Sequence, residues 1–208
     1  MDNQIHHGID LRKIGFGWLI LAWLLAMPLY ASSVKSVSVS EVANNSALIF
    51  EGRVSASRVV QQPGSKAIHT LIRFEVLDVL KGEYAEPSIE LSFLGGSMGD
   101  VTMRVTDLNR PRVGDRGIYF VENPARSQVN PFYGWDQGHY KLKYQPDLGQ
   151  MSVVTHSGKA IYGIESKAAS GISALSHGVA RGVSTSTNAA DRPLTPAQFK
   201  QQIRGMLQ

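Results

Sequence analysis

At 208 residues, with 43% hydrophobic and 18% charged residues, the chain is long and apolar enough to bury one core, and wholesale disorder is excluded. It holds no cysteine, which excludes disulfides, thiolate metal sites and cysteine nucleophiles. The formal net charge of +4 is spread without a dense Lys/Arg run, so nucleic acid is not expected as a partner.

The first element in chain order is a leader. Arg12 and Lys13 precede an apolar run over residues 14–27, and Pro28-Leu29-Tyr30-Ala31 leads into Ser32-Ser33. That is the order of a secretory signal peptide, expected over residues 1–31 with cleavage near Ala31. The uninterrupted apolar stretch is short for a membrane span, so the membrane enters only if the leader stays uncleaved. Cleavage removes Asp2, Asp10, Arg12 and Lys13, which cancel and leave the charge at +4. The expected destination is the periplasm or the outside of the cell.

A β domain is expected over residues 32–165. Ser38 and Glu41 have capping-box spacing, and Val39, Val42 and Ala43 recur at helical intervals, which predicts a short opening helix. From Leu48 the period becomes two. Leu48, Phe50, Val54 and Ala56 share one face of a half-buried strand, and Glu51, Arg53, Ser55 and Ser57 the polar one. Pro63-Gly64-Ser65 turns the chain into a second strand carrying Ile68, Ile72, Phe74 and Val76, so the two form a long hairpin. Ile89, Leu91 and Phe93, then Val101, Met103 and Val105, mark shorter strands. Ile118-Tyr119-Phe120-Val121 does not alternate and reads as a strand covered on both sides. Tyr140, Leu142 and Tyr144 mark another strand, and residues 151–155 are expected to pair with residues 160–164. Turn roles fall to Gly52, Gly82, Gly95, Gly96, Gly114 and Gly138, and to Asp107 and Asp115.

A series of short strands without intervening helices is mainly β and favours a closed or nearly closed antiparallel barrel, a sandwich being the alternative. Residues 166–193 are rich in Ser, Ala and Gly and read as a flexible connection. Thr195-Pro196-Ala197-Gln198 then opens an amphipathic helix over residues 194–208, expected to dock peripherally through Phe199 and Ile203.

No phosphate loop, nucleophile elbow or His-Glu-x-x-His pair is present, so no catalytic residue, metal ligand or cofactor is assigned. Through space, His69 or His139 with Asp100, Asp107 or Asp136 is the combination that would make a metal site, and Glu75, Glu90, Asp100, Asp115 and Glu122 are the carboxylates for hydrolysis. The unusual segment is residues 130–140, with Phe132, Tyr133, Trp135 and Tyr140 in predicted loop and strand start. Either these rings plug the barrel end or they form a binding rim. Tyr133, Trp135, His139 and Tyr140 are the candidate binding residues, with Phe132 turned to the core and Trp135 to a partner.

Three segments, residues 47–54, 74–82 and 93–96, together with residues 113–121 and Gln137-Gly138-His139-Tyr140, resemble the OB-like barrel of exported bacterial proteins related to netrin-like and tissue-inhibitor-of-metalloproteinase domains. The resemblance implies a small antiparallel OB-like barrel flanked by an N-terminal and a C-terminal helix. It also implies a non-catalytic module that binds another exported protein, in some relatives a protease. Those inhibitors chelate zinc through an N-terminal cysteine, and this chain has Ser32 or Ser33 there. The competing readings are a glycan- or cell-wall-binding module using the aromatic loop, and a hydrolase built from scattered carboxylates and histidines.

Overall fold

Ser38 ends an extended stretch and accepts a hydrogen bond from the Glu41 amide at 3.0 Å, starting helix α1 (Val39–Asn45). The computed structural model describes residues 34–61, 64–165, 176–185 and 191–207; the expected leader lies outside them. Val39, Val42 and Ala43, the apolar positions at helical spacing, are the buried face of α1. Lys81 closes the other end by donating to the carbonyls of Ala43 at 3.0 Å and Asn44 at 2.6 Å. Burial lowers the pKa of this lysine below its ordinary value.

The strands are β1 (Leu48–Gln61), β2 (Ile68–Lys81), β3 (Ser88–Leu94), β4 (Gly96–Met98), β5 (Val101–Met103), β6 (Arg116–Val121), β7 (His139–Gln145), β8 (Gln150–Thr155), β9 (Gly163–Ile164) and β10 (Val183–Ser184). Six of them form one antiparallel sheet in the order β3-β2-β1-β6-β7-β8. The protein is thus mainly β, but the expected closure is not found. β3 and β8 are the two edges and do not pair with each other. β1 and β2 form the long hairpin, with register shifts at Ile49/Phe50, Glu51/Gly52 and Val54/Ala56 that bend the pair.

Alternation sorts the apolar side chains of this sheet into two cores. Phe50, Phe74, Phe93, Tyr119 and Phe132 belong to one; Ile49, Ile118, Phe120, Tyr140 and Leu142 belong to the other, which α1 and the last helix cover. Covering both faces requires β6 to be apolar throughout, and Ile118, Tyr119, Phe120 and Val121 are all fully buried.

Gly52 is not in a turn: it lies within β1 at a register shift, where a Cβ would meet the Phe50 ring at 2.7 Å and the Glu75 carbonyl at 2.8 Å. Gly138 closes a turn of 3-10 helix (Trp135–Gly138) and is kept small by the Tyr133 carbonyl, which a Cβ would approach to 2.5 Å. Gly82, Gly95, Gly96 and Gly114 have positive φ, and Gly96 is the first residue of β4 rather than part of a turn. Residues 160–164 meet β8 at one bridge, Val154 to Ala160, and β9 pairs with β10 instead. β10 lies in the segment expected to be flexible. Within that segment residues 176–185 return to the fold, where Arg181 exchanges backbone hydrogen bonds of 2.8 and 2.9 Å with Val37 and Val39. Ala180 is buried there, while residues 166–175 and 186–190 lie outside the described residues.

The last element is helix α2 (Pro196–Met206). Its capping box forms as its spacing implies, Gln198 donating its amide to Thr195 Oγ1 at 3.3 Å and accepting from the Thr195 amide at 2.9 Å. Its docking is not peripheral: Phe199 and Ile203 are fully buried, and the Phe199 ring lies 4.9 Å from that of Tyr140. Glu51, expected on a solvated face, is buried beneath this helix. Its carboxylate accepts from Arg116 Nε at 2.8 Å and Lys200 Nζ at 2.7 Å. Lys200 also reaches Asp78 at 2.8 Å, and Arg204 reaches the same carboxylate at 3.1 Å. Burial opposes ionisation of Asp78, but Lys200 and Arg204 outweigh it and hold the pKa below the usual carboxylate value. Among the described residues no helix is long and apolar enough to cross a membrane.

Candidate functional site

Between β6 and β7 the chain makes the aromatic loop, and a chain of anchors fixes its path. Asn130 Oδ1 accepts from the Phe132 amide at 3.0 Å, and Phe132 bridges to Val121 at the end of β6. The Phe132 ring is buried, with centroids 5.3 Å from both Phe93 and Tyr119. Tyr133 is half-buried; its amide bonds the Phe120 carbonyl at 2.8 Å and its hydroxyl accepts from Asn45 at 3.1 Å. Gln137 is fully buried and ties the loop to the N-terminal segment, accepting from the Val37 amide at 2.9 Å and donating to the Lys35 carbonyl at 3.0 Å.

Asp136 supplies the last anchor. Its Oδ2 accepts from Asn109 Nδ2 at 2.7 Å and lies 3.2 Å from His156 Nε2, joining three loops that are distant in sequence. Burial raises the Asp136 pKa above its ordinary value; the Asn109 hydrogen bond and His156 act against this, and Asp107 adds to it. Among the described residues, His156 Nδ1 is buried and has no hydrogen-bond partner.

What these anchors leave over is Trp135. Its backbone adopts a left-handed conformation with φ 61°, shared among non-glycine described residues with Asp107 at 59°. Such a conformation costs a bulky residue about 1–2 kcal/mol and persists where surrounding contacts dictate it. The Trp135 amide bonds the Phe132 carbonyl at 3.0 Å, and its neighbours Asp136 and Gln137 are anchored to Asn109 and Val37. The half-exposed indole lines a shallow cleft of about 470 Å³ with His69, Leu94, Glu122, Arg126 and residues 127–130. His69 is oriented there by Ser92, 3.1 Å from its Nδ1.

The four candidate binding residues therefore part company. Trp135 lines the cleft and Tyr133 flanks the same loop, but His139 and Tyr140 are buried and are no part of a rim. They begin β7 where it is covered on both faces, so alternation sends His139 against Tyr119 and Phe132 and Tyr140 against Phe120 and Phe199. Burial, with Lys141 and His156 nearby, pushes the His139 pKa down to about 3. Burial pushes the Tyr140 and Tyr119 hydroxyls up.

Asp136 does find a histidine, but it is His156 rather than His69 or His139. No group of three or more His, Asp or Glu side chains placed to hold a metal occurs among the described residues. Of the scattered carboxylates, Glu90 pairs with Arg58 at 2.8 Å, Asp115 accepts from the Arg112 amide at 2.9 Å, and Glu122 borders the Trp135 cleft. Asn109, Arg126 and His156 carry no local spacing signal; only the fold brings them to the loop. No protein-family model, curated protein or solved structure matches this chain.

Proposed function

We propose that this chain is an exported, non-catalytic module that binds another exported protein, with Trp135 as its anchor. The observation that carries this reading is the strained, clamped backbone of Trp135 beside an open cleft. An aromatic side chain held in one place before binding loses little conformational freedom on contact, which is the property of an interface hot spot. The chemistry of the cleft favours a protein over a glycan. Its lining holds one indole with charges of both signs, Glu122 and Arg126, and among the described residues no second Phe, Tyr or Trp to complete a sugar-stacking platform.

Export rests on the charge-then-apolar order of residues 12–31. A binding module is also what the netrin-like resemblance implies, although the six-stranded sheet here is open and the zinc-chelating cysteine is missing. Protease inhibition through an N-terminal chelate therefore does not carry over.

A photo-crosslinking phenylalanine analogue at position 135, in the native host, tests the reading. It predicts one discrete protein adduct that is absent when the analogue stands at exposed Val113. Indistinguishable adducts at the two positions, or a carbohydrate adduct at 135, overturn it.

A further inference from the structure

The chain between β5 and β6 crosses one face of the β1-β2 hairpin. Ser57 stands directly opposite Ile72 in that ladder and Thr70 lies two residues along β2, so all three side chains belong to this face. Three attachments fix the crossing segment. Leu108 packs against the core at one end, and Val54 exchanges backbone hydrogen bonds of 2.9 and 2.8 Å with Gly114 and Asp115 at the other. Between them Arg110 Nη1 donates to Thr70 Oγ1 and, at 2.7 Å, to the Gly95 carbonyl. A cleft of about 510 Å³ is left, lined by Ser57 and Ile72 on the hairpin side and by residues 108–113 on the other.

Arg110 and Arg112 are the charged residues of this lining, and no carboxylate accompanies them. Among the described residues neither guanidinium has an ion-pair partner. Arg110 is half-buried, and both of its acceptors are neutral oxygens. A positive charge partly withdrawn from water is thus left without a counter-charge, which costs free energy. Both acceptors sit on Nη1. That leaves Nε–H and the Nη2 amino group, the edge of the guanidinium whose two parallel N–H bonds match the two oxygens of a carboxylate. Neither nitrogen is sealed in the interior.

We propose that this cleft binds an aliphatic carboxylate, a free acid or the C-terminus of a peptide, with Arg110 gripping both oxygens and Arg112 as the second cation. Thr70 and Gly95 hold the Arg110 fork in place before a ligand arrives, so little ordering is left to oppose binding. A planar, singly charged anion matches one fork, and Ile72, Leu108 and Val113 offer apolar surface to a branched group attached to it. The site is independent of the Trp135 cleft, whose lining shares no residue with it.

N-acetyl-leucine, 3-methylbutanoate and N-acetyl-leucinamide, each titrated into the full chain at low ionic strength and followed by amide and arginine Nε–H chemical shifts, test the site. The expected result is saturable shifts at Ser57 and in the 108–113 loop with at least one of the two acids, a moved Arg110 Nε–H resonance, and neither with the amide. Tighter binding of N-acetyl-leucine marks a chain terminus as the ligand; equal or tighter binding of 3-methylbutanoate marks a free acid. Arg110→Lys keeps the charge and loses the fork, so affinity should fall at least about tenfold, the weight of one hydrogen bond to a charged group. Lys159→Gln, an exposed cation outside the cleft, should bind as the parent does. Should the Arg110 variant not fold, Arg112→Gln, at an exposed position, replaces it and should weaken binding several-fold. Shifts that saturate with neither acid, an amide that binds as well as the acids, or affinity unchanged in the arginine variant overturn the site.

Discussion

Lys200 and Glu51 stand 149 residues apart in sequence, yet Lys200 Nζ donates to Glu51 Oε2 at 2.7 Å. The carboxylate is buried and the amine nearly so, with side-chain exposures of 3% and 18%. Burial alone would lower the Lys200 pKa, but Asp78 and Glu51 raise it above the ordinary amine value. Lys200→Met keeps the stem and removes the donor. It should cost about 2 kcal/mol, the order of a buried hydrogen bond to a charged group, read as a lower urea midpoint. A midpoint equal to the parent's would show that Arg116 satisfies Glu51 unaided.

Phe199→Ala should destabilise the protein by about 3–5 kcal/mol, the range for a buried phenylalanine. Phe120→Ala, at the centre of the sheet, should lose a similar amount, because both rings are fully buried in one core. Denaturant melts of the two variants side by side check this. A much smaller loss for Phe199 would return α2 to the periphery.

His139 makes stability fall in acid. The unfolded chain binds a proton as pH drops through about 6.5, while the folded chain resists until about 3. The folded pKa of this base is depressed, so its neutral form is favoured in the fold: the contribution is whole above about pH 6.5 and is lost between there and about 3. The slope is up to about 1.4 kcal/mol per pH unit. His139→Phe, a ring of like shape among Tyr119 and Phe132, should lose less stability than the parent between about pH 7 and about pH 4.5. Equal losses would refute the assignment.

Trp135→Gly and Trp135→Ala both delete the indole, but only alanine keeps a Cβ in the left-handed conformation. The glycine variant should be the more stable by about 1 kcal/mol. Calorimetric melting of the pair decides it, and an alanine variant as stable as the glycine one would mean the loop relaxes around position 135. Cross-linked partner recovery should drop for both.

The sequence is most informative where one rule acts locally. The caps at Ser38 and Thr195, the β1-β2 hairpin and the apolar β6 all follow from spacing between near neighbours. It fails where a decision is made across the fold. Glu51 alternates like a surface residue, and only α2 above it and Arg116 beside it make burial tolerable. His139 and Tyr140 stand next to a loop, yet β7 is covered on both faces at that point. Strand patterns cannot tell an open sheet from a closed one, because both alternate identically. In the aromatic loop composition marks the segment, but the split between Phe132 and Trp135 depends on Gln137 and Asp136 finding partners 100 and 27 residues away.

A ribosome delivers Glu51 long before it delivers Lys200. Until the eleven residues of α2 emerge, one core lacks Phe199 and Ile203, and a carboxylate inside it has half its neutralising charge. Every product of translation that stops short of α2 is consequently an unfinished object, with an apolar hollow open to the first chaperone or protease that meets it. The last helix therefore completes the core only once translation has passed Met206.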